Sequence, residues 1–434
     1  MKIVIFTVGC KVNQYESESL AFLFTQQGYT IVSKIEEADI CIVNTCTVTH
    51  RADYDSRHYL RQIIRKNPNA ICIATGCYVQ TAYRKLAEIK GIDYLIGNKE
   101  KPNLPKLLPY LKKQPTPKIL VSKQPTTLDT LICLPPAASI KRTRAYLKIQ
   151  DGCNAFCRYC IVPYARGRTR SLPPDEVIKR LIFLEKLGFK EIVLTGIHLG
   201  EYGKDLTPPI SLTRLLYSIK NSNLKARLRL SSLNPSEITK ELINLFISWP
   251  NLCPHLHISL QSGSKRILQK MGRNYTPELF KEIVSTLIQH FPLFAIGIDV
   301  IVGFPGETEN DFEETYYLIK ETPIAYCHIF SYSERPNTLA ARYTEKVPLE
   351  IIQKRVNILR ILDKEKRAKF FEKNKNKILN LLIETKNKNY FKGHTENYLL
   401  VRIPESERLK INTIVPVKIV YYKNGNIYGN IYGS

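Results

Sequence analysis

Short apolar runs of strand length alternate with stretches of helical period along most of this chain, an order that commits it to parallel sheets covered on both faces. Over the first part, strand candidates at 2–8, 40–43 and 70–74 enclose helical stretches at 16–27 and through residue 65. Such a βαβαβ order predicts one parallel sheet. A second alternation starts near residue 145, with strand candidates at 146–149, 191–194, 227–230, 255–260, 296–302 and 325–330. The helix predicted at 173–187 opens on Pro173, Pro174, Asp175 and Glu176, suiting a helix start, and puts Val177, Leu181 and Leu184 on one face. Six β/α units fit an open, partial parallel barrel better than a closed eightfold one.

The pattern breaks twice. Pro115, Pro117, Pro125, Pro135 and Pro136 interrupt any regular element and read as a linker. Beyond Lys377 come strand candidates at 378–384, 398–403 and 415–421, with Asn424-Gly425 as a hairpin signal. Lys and Tyr interleave along these strands, as expected of a small barrel that binds oligonucleotides or of a cap on the larger one. The chain is therefore divided into an α/β sheet domain (1–112), a linker (113–144), a partial β/α barrel (145–371) and a small all-β, OB-like domain (372–434).

Three thiols, Cys153, Cys157 and Cys160, lie on one loop directly after the first strand of the second alternation. Ligands bind at the carboxyl ends of strands in parallel sheets, so the loop stands where chemistry is expected. Soft thiolates select zinc or iron-sulfur clusters, and a closed zinc site would want a fourth ligand, which this loop lacks as cysteine. A cubane with three protein ligands keeps one iron open. Cys10, Cys46 and Cys77 show a second regularity, each standing just past an apolar strand. Parallel neighbouring strands would gather them into a second cluster site, the alternative being three unlinked thiols. Cys41, Cys72, Cys133, Cys253 and Cys327 read as small apolar side chains.

Lys and Arg number 64 against 39 Asp and Glu, a formal charge of +25 that calls for a polyanionic partner, usually nucleic acid. No apolar run reaches the roughly 18 residues needed to span a bilayer, and residues 3–8 are too short for a signal-peptide core, so a soluble, cytoplasmic protein with no membrane partner is expected. The 11 cysteines point to metal or catalysis rather than disulfides. Arg166, Arg168 and Arg170 could meet phosphate or substrate, or form a solvated face. His198, His255 and His257 fall at or near strand ends, where an isolated histidine is more often a hydrogen-bonded core residue than a base.

The CxxxCxxC spacing, with the aromatic Tyr159 before its last cysteine, resembles the radical S-adenosylmethionine superfamily. In that superfamily the open iron is chelated by the amino and carboxylate groups of S-adenosylmethionine, whose reductive cleavage gives a 5′-deoxyadenosyl radical. Across essentially the whole chain, GCKVNQY (9–15), NTC (44–46), PYARGR (163–168), TGIHLG (195–200), SLQSG (259–263) and GHTEN (393–397) are similar to segments of the methylthiotransferases. Lys11, Val12 and Asn13, with Ile197, His198 and Leu199, most resemble the branch acting on N6-threonylcarbamoyladenosine beside the tRNA anticodon. Other branches act on isopentenyladenosine or on an aspartate of a ribosomal protein.

The resemblance implies two [4Fe-4S] clusters, on Cys10, Cys46, Cys77 and on Cys153, Cys157, Cys160. It implies S-adenosylmethionine held near Tyr159, Gly196, Gln261, Gly303 and Gly306, a C-terminal RNA-binding domain of the TRAM type, tRNA as partner and an external electron donor. It leaves the sulfur donor and any acid or base open. Ser331, Glu334, Asn337 and Leu339 depart from the family's usual Pro and Gly, and Asn234 stands where Glu is common. A non-catalytic RNA-binding iron-sulfur redox sensor is the reading of another class.

Overall fold

In the computed structural model, which describes residues 1–122 and 143–433, the first alternation forms a six-stranded, wholly parallel sheet. Lys2–Thr7, Ile40–Thr45 and Ile71–Gly76 are adjacent in it, with Thr7 level with Asn44 and Thr45 with Gly76. Their carboxyl ends thus fall on one line. The two inner strands are buried at every position, as expected when helices cover both faces. Helix Lys11–Gln26 starts five residues earlier than the sequence periodicity suggests, because its first turns bury polar side chains, Asn13 and Glu16, that find partners elsewhere in the chain. The sheet also runs on past residue 112, through Lys118–Leu120 as edge strand. The proline-rich stretch around Pro125 to Pro136 and Cys133 lie outside the described residues.

The second alternation builds two three-stranded parallel sheets, Arg144–Lys148, Glu191–Thr195 and Arg227–Leu230, then His255–Gln261, Ala295–Val302 and Tyr326–Ser331. Parallel bridges Leu228 to Leu252 and Leu233 to Ile258 join them into a six-strand arc, the partial barrel. Alternation along each strand sorts the side chains. Leu256, Ile258, Ile296, Ile298 and Val300 join the large apolar core under the helices, whereas His255, His257, Asp299, Tyr326 and His328 point into the lumen and contact one another. Helix Pro174–Lys186 buries Val177, Leu181 and Leu184, the expected face.

A closed five-stranded barrel follows, in the order Ile378–Asn387, Tyr390–Thr395, Leu400–Pro404, Asn426–Ile431, Ile414–Lys423. Asn424 and Gly425 both take positive φ, the requirement of a tight type I′ hairpin. This barrel seats itself under the strand starts of the larger one. There Glu191 is buried between Arg227 (2.6 Å) and Arg229 (2.8 Å), whose remaining N–H groups donate to main-chain carbonyls of Asn380, His394, Thr395 and Glu396. Tyr398 stacks on His255 and His394. Leaving a buried donor unpaired costs about 1–3 kcal/mol, more when it is charged. Deleting the residues after Lys377 is therefore expected to lower the thermal midpoint of the remaining protein sharply, which calorimetry would show.

Candidate functional site

The loop after Arg144–Lys148 begins with a turn that only glycine can make. Gly152 has φ +72°, and a Cβ there would lie 1.9 Å from the Arg168 carbonyl oxygen. Backbone bonds from Cys153 N to Gly167 O (3.0 Å) and from Cys160 N to Cys157 O (2.9 Å) close the loop on itself. Its three sulfurs are brought to one cavity of about 120 Å³, lined also by Tyr159, His198, Asn234, Ser259 and Arg273. Burial, then the neighbouring Cys157 and Cys153 thiols, push the Cys160 thiol up to about 12. Thiols that raise one another in this way deprotonate together only when a cation is bound among them. Arg273 donates to Tyr159 Oη (2.5 Å) and Asn234 Oδ1 (3.0 Å), and its buried Nε has no protein partner. A cavity with three soft thiols and an unused guanidinium N–H fits a cluster together with an anionic ligand.

His198 stands at the rim, with Nδ1 3.3 Å from Cys153 Sγ and Nε2 against Glu237. Asn234 caps the turn Pro235–Glu237 and contacts the same imidazole, so asparagine serves here as a positioning group. Gly196 and Gln261 lie beside the cavity lining rather than in it. A Cβ on Gly196 would meet Gln150, while Gln261 takes positive φ at its strand end. Gly303 and Gly306 are turned away, toward Ile352 and toward Lys270 and Glu345. The structure brings Tyr159 and the loop cysteines together and leaves these four outside that lining.

At the first sheet the line of strand ends brings Cys10, Cys46 and Cys77 together. Gly9, at φ +96°, packs so closely that a Cβ would sit 2.5 Å from Cys46 Sγ. Burial, then the Cys10 and Cys77 thiols, push Cys46 up to about 12. Cys77 Sγ accepts hydrogen bonds from Arg166 Nε (3.2 Å) and Asn98 Nδ2 (3.7 Å). Both are donors to which a sulfur ligand can remain hydrogen-bonded.

Arg166 also joins the two triads. Its helix, Val162–Arg166, follows Cys160 directly, and the guanidinium is fully buried. It bonds Glu16 (2.7 Å) and Asn13 (2.6 Å) of the first domain and Asp151 (3.2 Å) of the cluster loop. Lys101 and Lys148, both buried, complete the network on Glu16 at 2.6 and 2.9 Å. Burial alone would raise both acids, but Arg166, Lys101 and Lys148 hold Glu16 well below the usual carboxylate range. Lys148 and Arg166 likewise bring Asp151 to about 2. Arg166, bonded to Cys77, and Lys101 bring positive charge to the place where an anionic thiolate cluster would sit. Arg166 and Arg170 are thus buried structural groups rather than phosphate contacts, while Arg168 is exposed. Sequence reading missed Arg273, Glu16, Lys101 and Lys148, because charged residues of widely separated segments carry no mark of their partners.

The residues after Tyr326–Ser331 add a second joint. Arg335 reaches Asp53 Oδ2 (2.7 Å) and Thr47 O (3.1 Å), and Ser333 accepts from His50 N. Asn337, one of the four positions where Pro or Gly was expected, takes φ +67°, a conformation asparagine tolerates. Among the described residues no helix is long and apolar enough to cross a membrane.

Comparison with known proteins finds two matching family models. Residues 2–97 match the model described as Uncharacterized protein family UPF0004, and residues 147–319 match the Radical SAM superfamily. The chain is 42% identical over 407 residues, 93% of its length and 96% of the relative's, to the threonylcarbamoyladenosine tRNA methylthiotransferase MtaB of Aquifex aeolicus. It is 35% identical to a tRNA-2-methylthio-N(6)-dimethylallyladenosine synthase of Clostridium botulinum, covering 98% of this chain and 96% of that one. Its fold is similar to that of the radical S-adenosylmethionine methyltransferase TsrM of Kitasatospora setae, with a TM-score of 0.56 at 15% identity over 76% of this chain and 72% of that chain. Near-complete coverage by such relatives, over a fold with a thiol triad in each of its two matched domains, places this chain in the radical S-adenosylmethionine methylthiotransferase family.

Proposed function

We propose that the chain converts N6-threonylcarbamoyladenosine beside the tRNA anticodon to its 2-methylthio derivative. The observation that carries this reading is the 42% identity, over nearly all of both chains, to a relative named for that activity. The cofactors are two [4Fe-4S] clusters and S-adenosylmethionine. Cys153, Cys157 and Cys160 would hold one cluster, Cys10, Cys46 and Cys77 the other, and Tyr159 and Arg273 would orient S-adenosylmethionine in the cavity they line. When bound, these groups supply hydrogen abstraction, sulfur and a methyl group. The protein's part is positional: Arg166 fixes one thiol loop relative to the other, and the lumen between strand ends and C-terminal barrel gives the nucleobase a walled site. Gly196, Gln261, Gly303 and Gly306 act from behind the cavity, shaping the strand-end turns. An external reductant and a cytoplasmic setting belong to the same proposal, and +25 of formal charge suits tRNA.

Deleting the gene and analysing digested tRNA by mass spectrometry is expected to remove 2-methylthio-N6-threonylcarbamoyladenosine and leave the unthiolated nucleoside in its place. Loss of the methylthio group from isopentenyladenosine instead would assign the chain to the activity named for the Clostridium relative. Absence of S-adenosylmethionine cleavage by reconstituted protein would favour the redox-sensor reading.

A further inference from the structure

Resting on the assignment of Cys153, Cys157 and Cys160 to one cluster, we propose that His198, paired with Glu237, donates a hydrogen bond to Cys153 Sγ and thereby raises the reduction potential of that cluster. Both ring nitrogens have partners. Nδ1 lies 3.3 Å from Cys153 Sγ and Nε2 against Glu237, and the residue lines the cavity that the three sulfurs share. Neither partner can donate, since a carboxylate only accepts and a cysteine sulfur that ligates iron has given up its proton. Each nitrogen therefore carries a hydrogen, and the ring a positive charge. An imidazole so committed has no lone pair left for iron, so it acts on the cluster through the sulfur.

The surroundings hold the ring for this contact. His198 N donates to Gln150 Oε1 (2.8 Å), which ties the strand-end turn to the segment leading into the cysteine loop. Glu237 is fixed in turn, accepting from Asn234 N (2.8 Å) on one oxygen and from Asn234 Nδ2 (2.8 Å) on the other. Arg273 sets the direction of that amide by donating to Asn234 Oδ1 (3.0 Å), so its NH2 faces the carboxylate and the imidazole. The other acid nearby, Glu201, stands 3.7 Å from Nδ1 and is already engaged by Asn154 N (3.1 Å) and Thr169 Oγ1 (2.7 Å). Sulfur is thus the nearer acceptor for Nδ1–H.

One-electron reduction adds negative charge that spreads onto the sulfurs, so a cation with an N–H aimed at one of them favours the reduced state. The side chains of His198 and Glu237 are only 13% and 14% exposed, so solvent and salt screen the charge little. Removing the ring would also leave Glu237 without its cation, which moves the potential in the same direction.

An EPR-monitored redox titration of cluster-loaded, full-length protein tests this, with the same titration in Cys77→Ala, where only this cluster remains. His198→Leu is expected to lower the midpoint by about 59 mV or more, which is about a tenfold smaller ratio of reduced to oxidised cluster at a fixed potential. His198→Asn puts an uncharged amide donor close to the place of Nδ1 and should recover part of the loss. Iron content should match wild type in both. Reductive cleavage of S-adenosylmethionine should fall with dithionite and recover with titanium(III) citrate, a stronger reductant, as a defect in potential requires. A midpoint unchanged in both variants, or unchanged in His198→Asn where His198→Leu fails to hold iron, overturns the proposal. So does a coordinated nitrogen seen by pulsed EPR in wild type before S-adenosylmethionine is added and lost in His198→Asn, which would make His198 an iron ligand. A Cys77→Ala protein with no reducible cluster overturns the assignment of the loop cysteines itself, a result distinct from either.

Discussion

Cys157→Ala is expected to abolish 5′-deoxyadenosine formation, falling to background in an anaerobic assay with dithionite, while Cys77→Ala keeps it and yields no methylthio product. Two thiolates do not hold an open-site cubane securely, so the first variant loses its cluster and with it every step that needs the radical. In the second, the loop of Cys153, Cys157 and Cys160 is intact, Arg273 and Tyr159 remain in place, and only the strand-end triad is broken. Iron content should fall by about half in each, because each set of three thiolates holds one cubane. The two variants therefore separate the half-reactions that the two domains divide between them. Formation of normal product by either one would sink the assignment of its triad.

Arg166→Gln should be as damaging by another route. The guanidinium is buried among Glu16, Asp151 and Asn13 and donates to Cys77 Sγ, so its loss leaves two buried carboxylates short of a cation. Breaking a buried ion pair from one side costs about 3–5 kcal/mol. Because Arg166 lies on the helix after the cluster loop and Glu16 on helix Lys11–Gln26 of the first domain, the loss should appear as separation of two thermal transitions, read by calorimetry, and in a changed spectrum of the cluster at Cys77. Arg166→Lys would keep the charge but not the several directed N–H groups, and should recover only part. A single transition at the wild-type midpoint in Arg166→Gln would show that the joint depends on other contacts, such as Arg335 with Asp53.

Much of the architecture is legible in the sequence because parallel strands buried on both faces announce themselves: Ile40 to Val43 and Ile71 to Ala74 are apolar runs with little ambiguity. The cysteines are legible for a related reason, since a thiol just beyond a strand has few structural uses. Strands Tyr390–Thr395 and Asn426–Ile431 were not, as Lys392, Gly393, His394 and Gly429 dilute their alternation with residues poor in strand preference. The first turn of helix Lys11–Gln26 is not legible, because buried polar residues look like solvated ones until their partners are known. Arg166 reads as part of a basic run with Arg168 and Arg170. Only the fold reveals that Glu16, some 150 residues away, is its partner.

The joint beneath the large barrel has a consequence for how such chains diversify. Arg227 and Arg229 grip the C-terminal barrel by its main-chain carbonyls, at Asn380, His394, Thr395 and Glu396, and a carbonyl oxygen is the same whichever side chain its residue carries. Attachment is thereby insulated from drift on the exposed strands. Its outward-facing surface can be rewritten residue by residue, or exchanged in a chimera with another five-stranded barrel of like backbone, without loosening these bonds to the larger barrel.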